Sequence, residues 1–114
     1  MNLTFFTPLA EISSPARNGS NGELFASFFL GGFECSSKLR VDGKRLDLLE
    51  STGHARLFEY DYRALTKHGI RAARDGFRWH LIEESAGAYN WSSIIPMLKA
   101  ARDNDVQVIW DLCH

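Results

Sequence analysis

The chain has 114 residues, and 13 lysines and arginines against 14 aspartates and glutamates give it a formal net charge of −1. That length supports one small domain at most, and near-neutrality speaks against a dedicated nucleic-acid binder, which carries a basic excess to displace counterions from phosphates. Charged residues make up 24% of the chain and hydrophobic residues 45%, a globular mixture that fits neither a disordered tail, a collagen-like repeat nor a coiled coil.

No basic patch stands out along the sequence, and no apolar stretch approaches the roughly 20 residues that span a bilayer. Met1 to Pro8 carries no charge and lacks the pattern of a secretory signal. Cys35 and Cys113 are too few for a disulfide scaffold and are not spaced as metal ligands. The expectation is a cytoplasmic chain with no cofactor or metal, and with neither nucleic acid nor membrane among its partners.

Ser13 to Gly22 is nearly all Ser, Pro, Asn and Gly, so residues 1–22 read as a flexible N-terminal arm. Leu24 to Cys35 then reads as a first strand buried on both faces and stopped by Gly31-Gly32. Ser36 to His54 reads as a long polar loop, with a turn at Asp42-Gly43 and one short helical turn at Leu46 to Glu50. From Arg56 to His68, Phe58, Tyr62 and Leu65 recur at helical spacing, and Gly69 stands where a left-handed cap belongs.

Ile70 to Trp79 follows as a second strand. Its Ala72 and Ala73 imply close packing, and Arg74 and Asp75 must be paired if they are buried. Beyond a loop with Gly87, Ser92 or Ser93 is placed to cap a helix carrying Ile94, Leu98 and Ala101, with Pro96 in its first turn and Asn104 as a left-handed terminator. Val106 to Leu112 makes a third strand. Alternation of this kind reads as βαβ units building a parallel sheet with right-handed crossovers. Three strands leave open edges, so the chain reads as a truncated piece of something larger. A (β/α)8 barrel needs about 250 residues, and residues 23–114 would supply roughly three-eighths of one.

In parallel α/β folds ligands gather at the carboxyl ends of the strands. Those ends carry Glu34, Trp79 and His114. Glu34 is either a ligand-contacting carboxylate or the partner of a nearby arginine, and Trp79 either a core ring or a ligand platform. Arg74 pairs locally with Asp75 or Glu34, or else holds a catalytic carboxylate in its ionised state. His114 at a strand end can meet a hydroxyl or a metal, whereas His54, His68 and His80 read as solvated. No phosphate-cradling loop, dinucleotide fingerprint, serine elbow or zinc spacing is present.

Residues 69–83 (GIRAARDGFRWHLIE), Gly87 to Trp91 (GAYNW) and residues 98–114 (LKAARDNDVQVIWDLCH) together resemble the second and third βα units of family 1 and related clan A glycoside hydrolases. Arg74 and Trp79 match the arginine and tryptophan of that family's YRFSISW-like strand, Leu112 and His114 match its TLYH-like strand end, and Phe29 to Gly32 is similar to its opening FLWG strand. The resemblance implies the N-terminal βαβαβ portion of a TIM (β/α)8 barrel that hydrolyses β-glycosides with retention. Arg74 would support the nucleophile, and His114 would bind sugar hydroxyls; Glu34 and Trp79 are further substrate-binding candidates from their strand-end positions, and the family's glutamine at the end of the first strand has no clear counterpart, because Glu34 falls several residues early. The acid/base and nucleophilic glutamates of such enzymes follow strands four and seven, so the 114-residue piece itself is expected to be inactive. The alternative is a non-catalytic carbohydrate-binding barrel protein that keeps the sugar-contacting strand ends without the carboxylate pair. Asp75 and Gly76, where the family has an aromatic and a serine, imply a divergent member.

Overall fold

A computed structural model of the chain describes residues 24–112. The N-terminal arm, Cys113 and His114 lie outside the described residues.

The core is a three-stranded parallel sheet in the order β1–β4–β7, with β1 at Leu30–Gly32, β4 at Ala72–Gly76 and β7 at Gln107–Asp111. Leu30 aligns with Ala72, and the β4–β7 pairing runs from Ala72↔Gln107 to Gly76↔Asp111. Two helices, α2 at His54–Lys67 and α4 at Ile95–Asp103, make the crossovers. This is the βαβαβ order read from the sequence.

Both crossover helices end in the same way. The Gly69 amide donates to Thr66 and the Ile70 amide to Leu65, which satisfies the last α2 carbonyls with Gly69 at φ 74°. At the end of α4 the Asp105 and Val106 amides donate to Arg102 and Ala101. The left-handed residue there is Asp105, at φ 54°, rather than the expected Asn104. Nor does either serine cap the start of α4. Ile94 is the N-cap, the Trp91 carbonyl accepts from Ile94 and Ile95, and Pro96 falls in the first turn, where no N–H is needed. The Ser93 hydroxyl is buried without a partner among the described residues.

Leu24–Phe29 is not the start of the first strand: it crosses the amino ends of β4 and β7, where the Ser27 hydroxyl accepts from the Arg71 and Ala72 amides and the Gln107 side chain holds the backbone of Leu24 and Ala26. Phe28 and Phe29 are consequently 93% and 70% exposed, not buried on two faces. The polar stretch after the first strand is a hairpin, β2 (Ser37–Leu39) against β3 (Arg45–Asp47), turned at Asp42-Gly43 and followed by the short helix α1 (Leu48–Ser51). A second hairpin, β5 (Glu83–Ser85) with β6 (Ala88–Tyr89), follows the short helix α3 (Trp79–Ile82) in the loop after β4.

Alternation along β4 divides its residues between two faces. Ala73 packs under the helices with Tyr62, Ala100, Ala101 and Val106, flanked by Phe33, Phe58, Leu65 and Val108. Asp75 points the same way and is fully buried. Its Oδ2 accepts from the Tyr62 hydroxyl at 2.6 Å and from His54 Nε2 at 2.8 Å, and its Oδ1 from the Gly76 amide at 2.8 Å. His54 Nδ1 meets Asp61 Oδ2 at 2.6 Å, so both ring nitrogens face carboxylates, an arrangement that favours the doubly protonated, charged ring. The imidazole stacks on Phe33, with centroids 3.7 Å apart. His54 is therefore 3% exposed rather than solvated, because two acids and an aromatic ring replace its water.

Burial pulls the His54 pKa down, but hydrogen bonds to Asp75 and Asp61 and the charges of both carboxylates outweigh it and leave the value raised. A raised folded-state value means that the charged histidine's contribution to stability is complete below the unfolded value of about 6.5 and is lost as pH climbs through the folded value. The urea midpoint should fall as pH rises from about 6.5 into the alkaline range, and His54→Gln should flatten that slope. A midpoint that falls equally in both proteins over that window would contradict the charged assignment. Gly76 makes a second test. A Cβ there would collide with Cβ and Sγ of Cys35, so Gly76→Ala should destabilise the protein by about 1 to 3 kcal/mol in the same urea titration.

Candidate functional site

The other face of β4, away from the helices, carries Ala72, Arg74 and Gly76. Arg74 lies mid-strand on that face, level with the last residue of β1, and the register sets Asp111, the last residue of β7, two residues beyond its partner Ile109 toward the carboxyl end of the sheet. The Arg74 Nε donates to Asp111 Oδ2 at 2.7 Å, with a terminal guanidinium nitrogen on the same oxygen. The carboxylate holds Arg74 above its ordinary pKa, through the hydrogen bond first and its charge second. The carboxylate that the register brings to this guanidinium is Asp111. Asp75 projects from the opposite face, because neighbours on a strand alternate, and the Glu34 carboxylate accepts from the amide and hydroxyl of Ser36. Glu34 still lies close enough for its charge to favour protonated Arg74, so the structure gathers Glu34, Arg74 and Asp111 at one end of the sheet.

Cys35 completes this group. It is 3% exposed, and its thiol donates to Asp111 Oδ2 at 3.4 Å. Burial, with the hydrogen bond and charge of Asp111 behind it, pushes the thiol up to about 11. A thiol so placed stays protonated near neutral pH and is no nucleophile. What the cluster offers is an oriented cation: Arg74 is aimed by Asp111 into the open face of the sheet, where it can hold an anionic oxygen.

A second cluster braces the loops at the same end. Asp47 caps α1 by accepting from the Glu50 amide, and its Oδ2 accepts from Arg78 Nε at 2.7 Å and faces His80 Nε2 at 3.2 Å. Arg45 donates to the Ser37 hydroxyl, which lies 3.2 Å from His80 Nδ1. Burial, helped by Arg45 and Arg78 and opposed by Asp47, holds His80 below its ordinary pKa. A neutral ring that accepts from Ser37 and donates to Asp47 fits this pattern. His80 is thus another histidine that is engaged rather than solvated, and it ties the loop after β1 to the loop after β4.

Trp79 belongs to a third group. Its indole N–H donates to Glu83 at 2.9 Å, and its ring lies 6.0 Å from Tyr89 and 6.4 Å from Trp91. Tyr89 and Trp91 stack on each other and are about half and a third exposed. Trp79 is thus one of three aromatics grouped on the loop after β4. His114 lies outside the described residues. Among the described residues no three His, Cys, Asp or Glu side chains are grouped to hold a metal ion, and no helix is long and apolar enough to cross a membrane.

Sequence reading missed Asp111, although the signal was available. Placing Ile109 opposite Arg74 puts the next same-face residue of the third strand at 111. Comparison with known proteins adds no further constraint: no family model matches the chain, and neither a curated protein nor a solved structure matches it.

Asp111 both orients Arg74 and raises the Cys35 pKa, so Asp111→Asn should make Cys35 more acidic. In a Cys113→Ser background, disulfide-reagent labelling of Cys35 in the native protein should be slow at pH 8 and faster after Asp111→Asn. Equal labelling rates, with the fold retained by circular dichroism, would mean that Asp111 does not set the thiol's environment.

Proposed function

We propose that this chain is the N-terminal part of a retaining, family 1-like clan A glycoside hydrolase, a (β/α)8 barrel that hydrolyses O-glycosidic bonds. The observation that supports it most is Arg74, held by Asp111 at the carboxyl end of a parallel sheet and on the face the helices leave open. In a barrel that face is the interior and that end is the site of chemistry.

On this reading Arg74 keeps a glutamate nucleophile ionised, and His114 binds the sugar's hydroxyls. Glu34, beside Arg74, is a second hydroxyl acceptor. The reaction uses two carboxylates about 5 to 5.5 Å apart: one protonates the leaving oxygen while the other attacks the anomeric carbon, and water then releases the sugar with the first acting as base. Both carboxylates belong after strands four and seven of the barrel, and no cofactor is required. The non-catalytic carbohydrate binder remains the second reading, favoured by the half-open Trp79, Tyr89 and Trp91 group, since amphipathic rings are suited to apolar sugar faces with wet edges.

The two readings part on turnover. The longer protein that contains this segment should release nitrophenol from nitrophenyl β-glycosides with retained anomeric configuration, and the 114-residue chain should release none. Sugar binding without turnover by the longer protein would select the binder, and turnover by the 114-residue chain would overturn the placement of both carboxylates outside it. In the active enzyme Arg74→Met should raise the nucleophile's pKa, moving the acidic limb of the rate profile up by about one to three pH units and lowering turnover. His114→Ala should cost about 1 to 4 kcal/mol of transition-state stabilisation without moving that limb.

A further inference from the structure

The β2–β3 hairpin concentrates charge that composition averages away. Between Ser37 and Leu46 it holds Lys38, Arg40, Lys44 and Arg45 against one carboxylate, Asp42, in a chain of net charge −1. The ladder pairs Lys38 with Leu46 and Leu39 with Arg45, and the Arg40 amide donates to the Lys44 carbonyl. Lys38, Arg40 and Lys44 therefore share one face of the ribbon, and Arg45 takes the other.

Asp42 pairs with Arg40, and the Arg45 guanidinium donates to Ser37. Lys38 and Lys44 form no ion pair among the described residues. Leu39, 64% exposed, stands beside Arg45 on the face opposite Lys38, Arg40 and Lys44, and Val41, fully exposed, follows it in the turn. The base of the hairpin is fixed by Asp47 to Arg78 and by Ser37 to His80, so the tip projects from an anchored stem.

We infer that this hairpin docks the protein on an anionic lipid surface, with Leu39 and Val41 entering the headgroup boundary while Lys38, Arg40, Lys44 and Arg45 lie among the lipid phosphates. Charge complementarity supplies the long-range attraction. The aliphatic tip decides between lipid and a soluble polyanion. Leu39 and Val41 have no hydrogen-bonding group or ring to offer a nucleic acid or an acidic glycan, whereas exposed aliphatic side chains near the end of a ribbon that carries cations on both faces are what an interfacial anchor requires. The docking is peripheral and needs no spanning helix, so a search for long apolar stretches passes over it. It does not depend on the glycosidase reading.

The test is flotation of the 114-residue chain with phosphatidylglycerol-containing vesicles, with pure phosphatidylcholine vesicles and with soluble heparin as comparison arms. Binding to the anionic vesicles is expected at low ionic strength and is released by about 0.5 M salt, where the screening length has shrunk to a few ångströms. Lys38→Gln combined with Lys44→Gln should weaken vesicle binding about fivefold per cation. Leu39→Ser combined with Val41→Ser should weaken it about tenfold. All four positions are exposed on the hairpin, and circular dichroism of each variant checks that the fold is kept. Equal flotation with phosphatidylcholine, or flotation unaffected by either pair, would overturn the inference by assigning binding to another apolar surface. Heparin binding that depends on the lysines but not on Leu39 and Val41, without vesicle binding, would overturn it in favour of a soluble polyanion.

Discussion

The fold turns on one buried carboxylate. Asp75 sits under the helices with no exposed surface, in the middle of the sheet, where an uncompensated charge would cost several kcal/mol. It is tolerated because three donors from three directions reach it: the Tyr62 hydroxyl from the middle of α2, the His54 ring from its first turn, and the Gly76 amide from its own strand. Moving α2 along its axis or rotating it would break two of the three. A purely apolar contact between helix and strand would tolerate such sliding, since dispersion and burial are not directional. The polar network selects one register, and Asp61 extends the selection to the other side of His54.

The five-residue strand that turns Asp75 toward α2 presents Arg74 to the opposite side. Ala72, Ala73 and Gly76 surround the two charged residues with nothing larger than a methyl group, which lets β1, β4 and the residues after them approach closely. Cys35 lies against Gly76 where a side chain would otherwise stand. Fixing Asp75 inward fixes Arg74 outward, because the period of a strand is two. The internal anchor and the candidate site are consequently one decision made by the chain: a slip of one residue would bury the arginine under the helices and expose the aspartate. Asp111 then holds the guanidinium in a single direction.

Much of the scaffold was legible because it follows from local chemistry. The end of α2 was readable at Gly69, since only a residue at ease with positive φ lets the last carbonyls find donors. The alternation of strands and helices was readable from periodicity, and so was the parallel sheet. What sequence could not give was the pairing of side chains far apart in the chain. His54 meets one carboxylate 7 residues away and another 21 away, and nothing in its neighbours announces a buried ring. Leu24 to Phe29 failed for the converse reason. Its apolar run satisfies every local criterion for a strand, but Gln107 captures its backbone and the Ser27 hydroxyl ties it to the Arg71 and Ala72 amides, outside the sheet. Within the candidate site, Arg74 was legible as a charge needing a partner, while Asp111 required the inter-strand register.

Directional bonds also explain why the loops at the carboxyl end can carry a site without being loose. The hairpin after β1 and the turn after β4 are separate in sequence, yet Asp47 accepts from Arg78 in the interior of that junction, where both side chains are at most one-fifth exposed. An ion pair this sheltered is screened less than a surface pair, and its geometry is set by the α1 cap that the same aspartate makes. His80, kept neutral by burial and by the arginines on either side, adds a hydrogen-bonded link without adding a charge. The result is a cross-linked collar around the end of the sheet where Glu34, Arg74 and Asp111 gather. Preorganisation of that kind matters most where a cation must act on a group arriving from elsewhere, because an arginine already held in place spends no binding energy on being ordered.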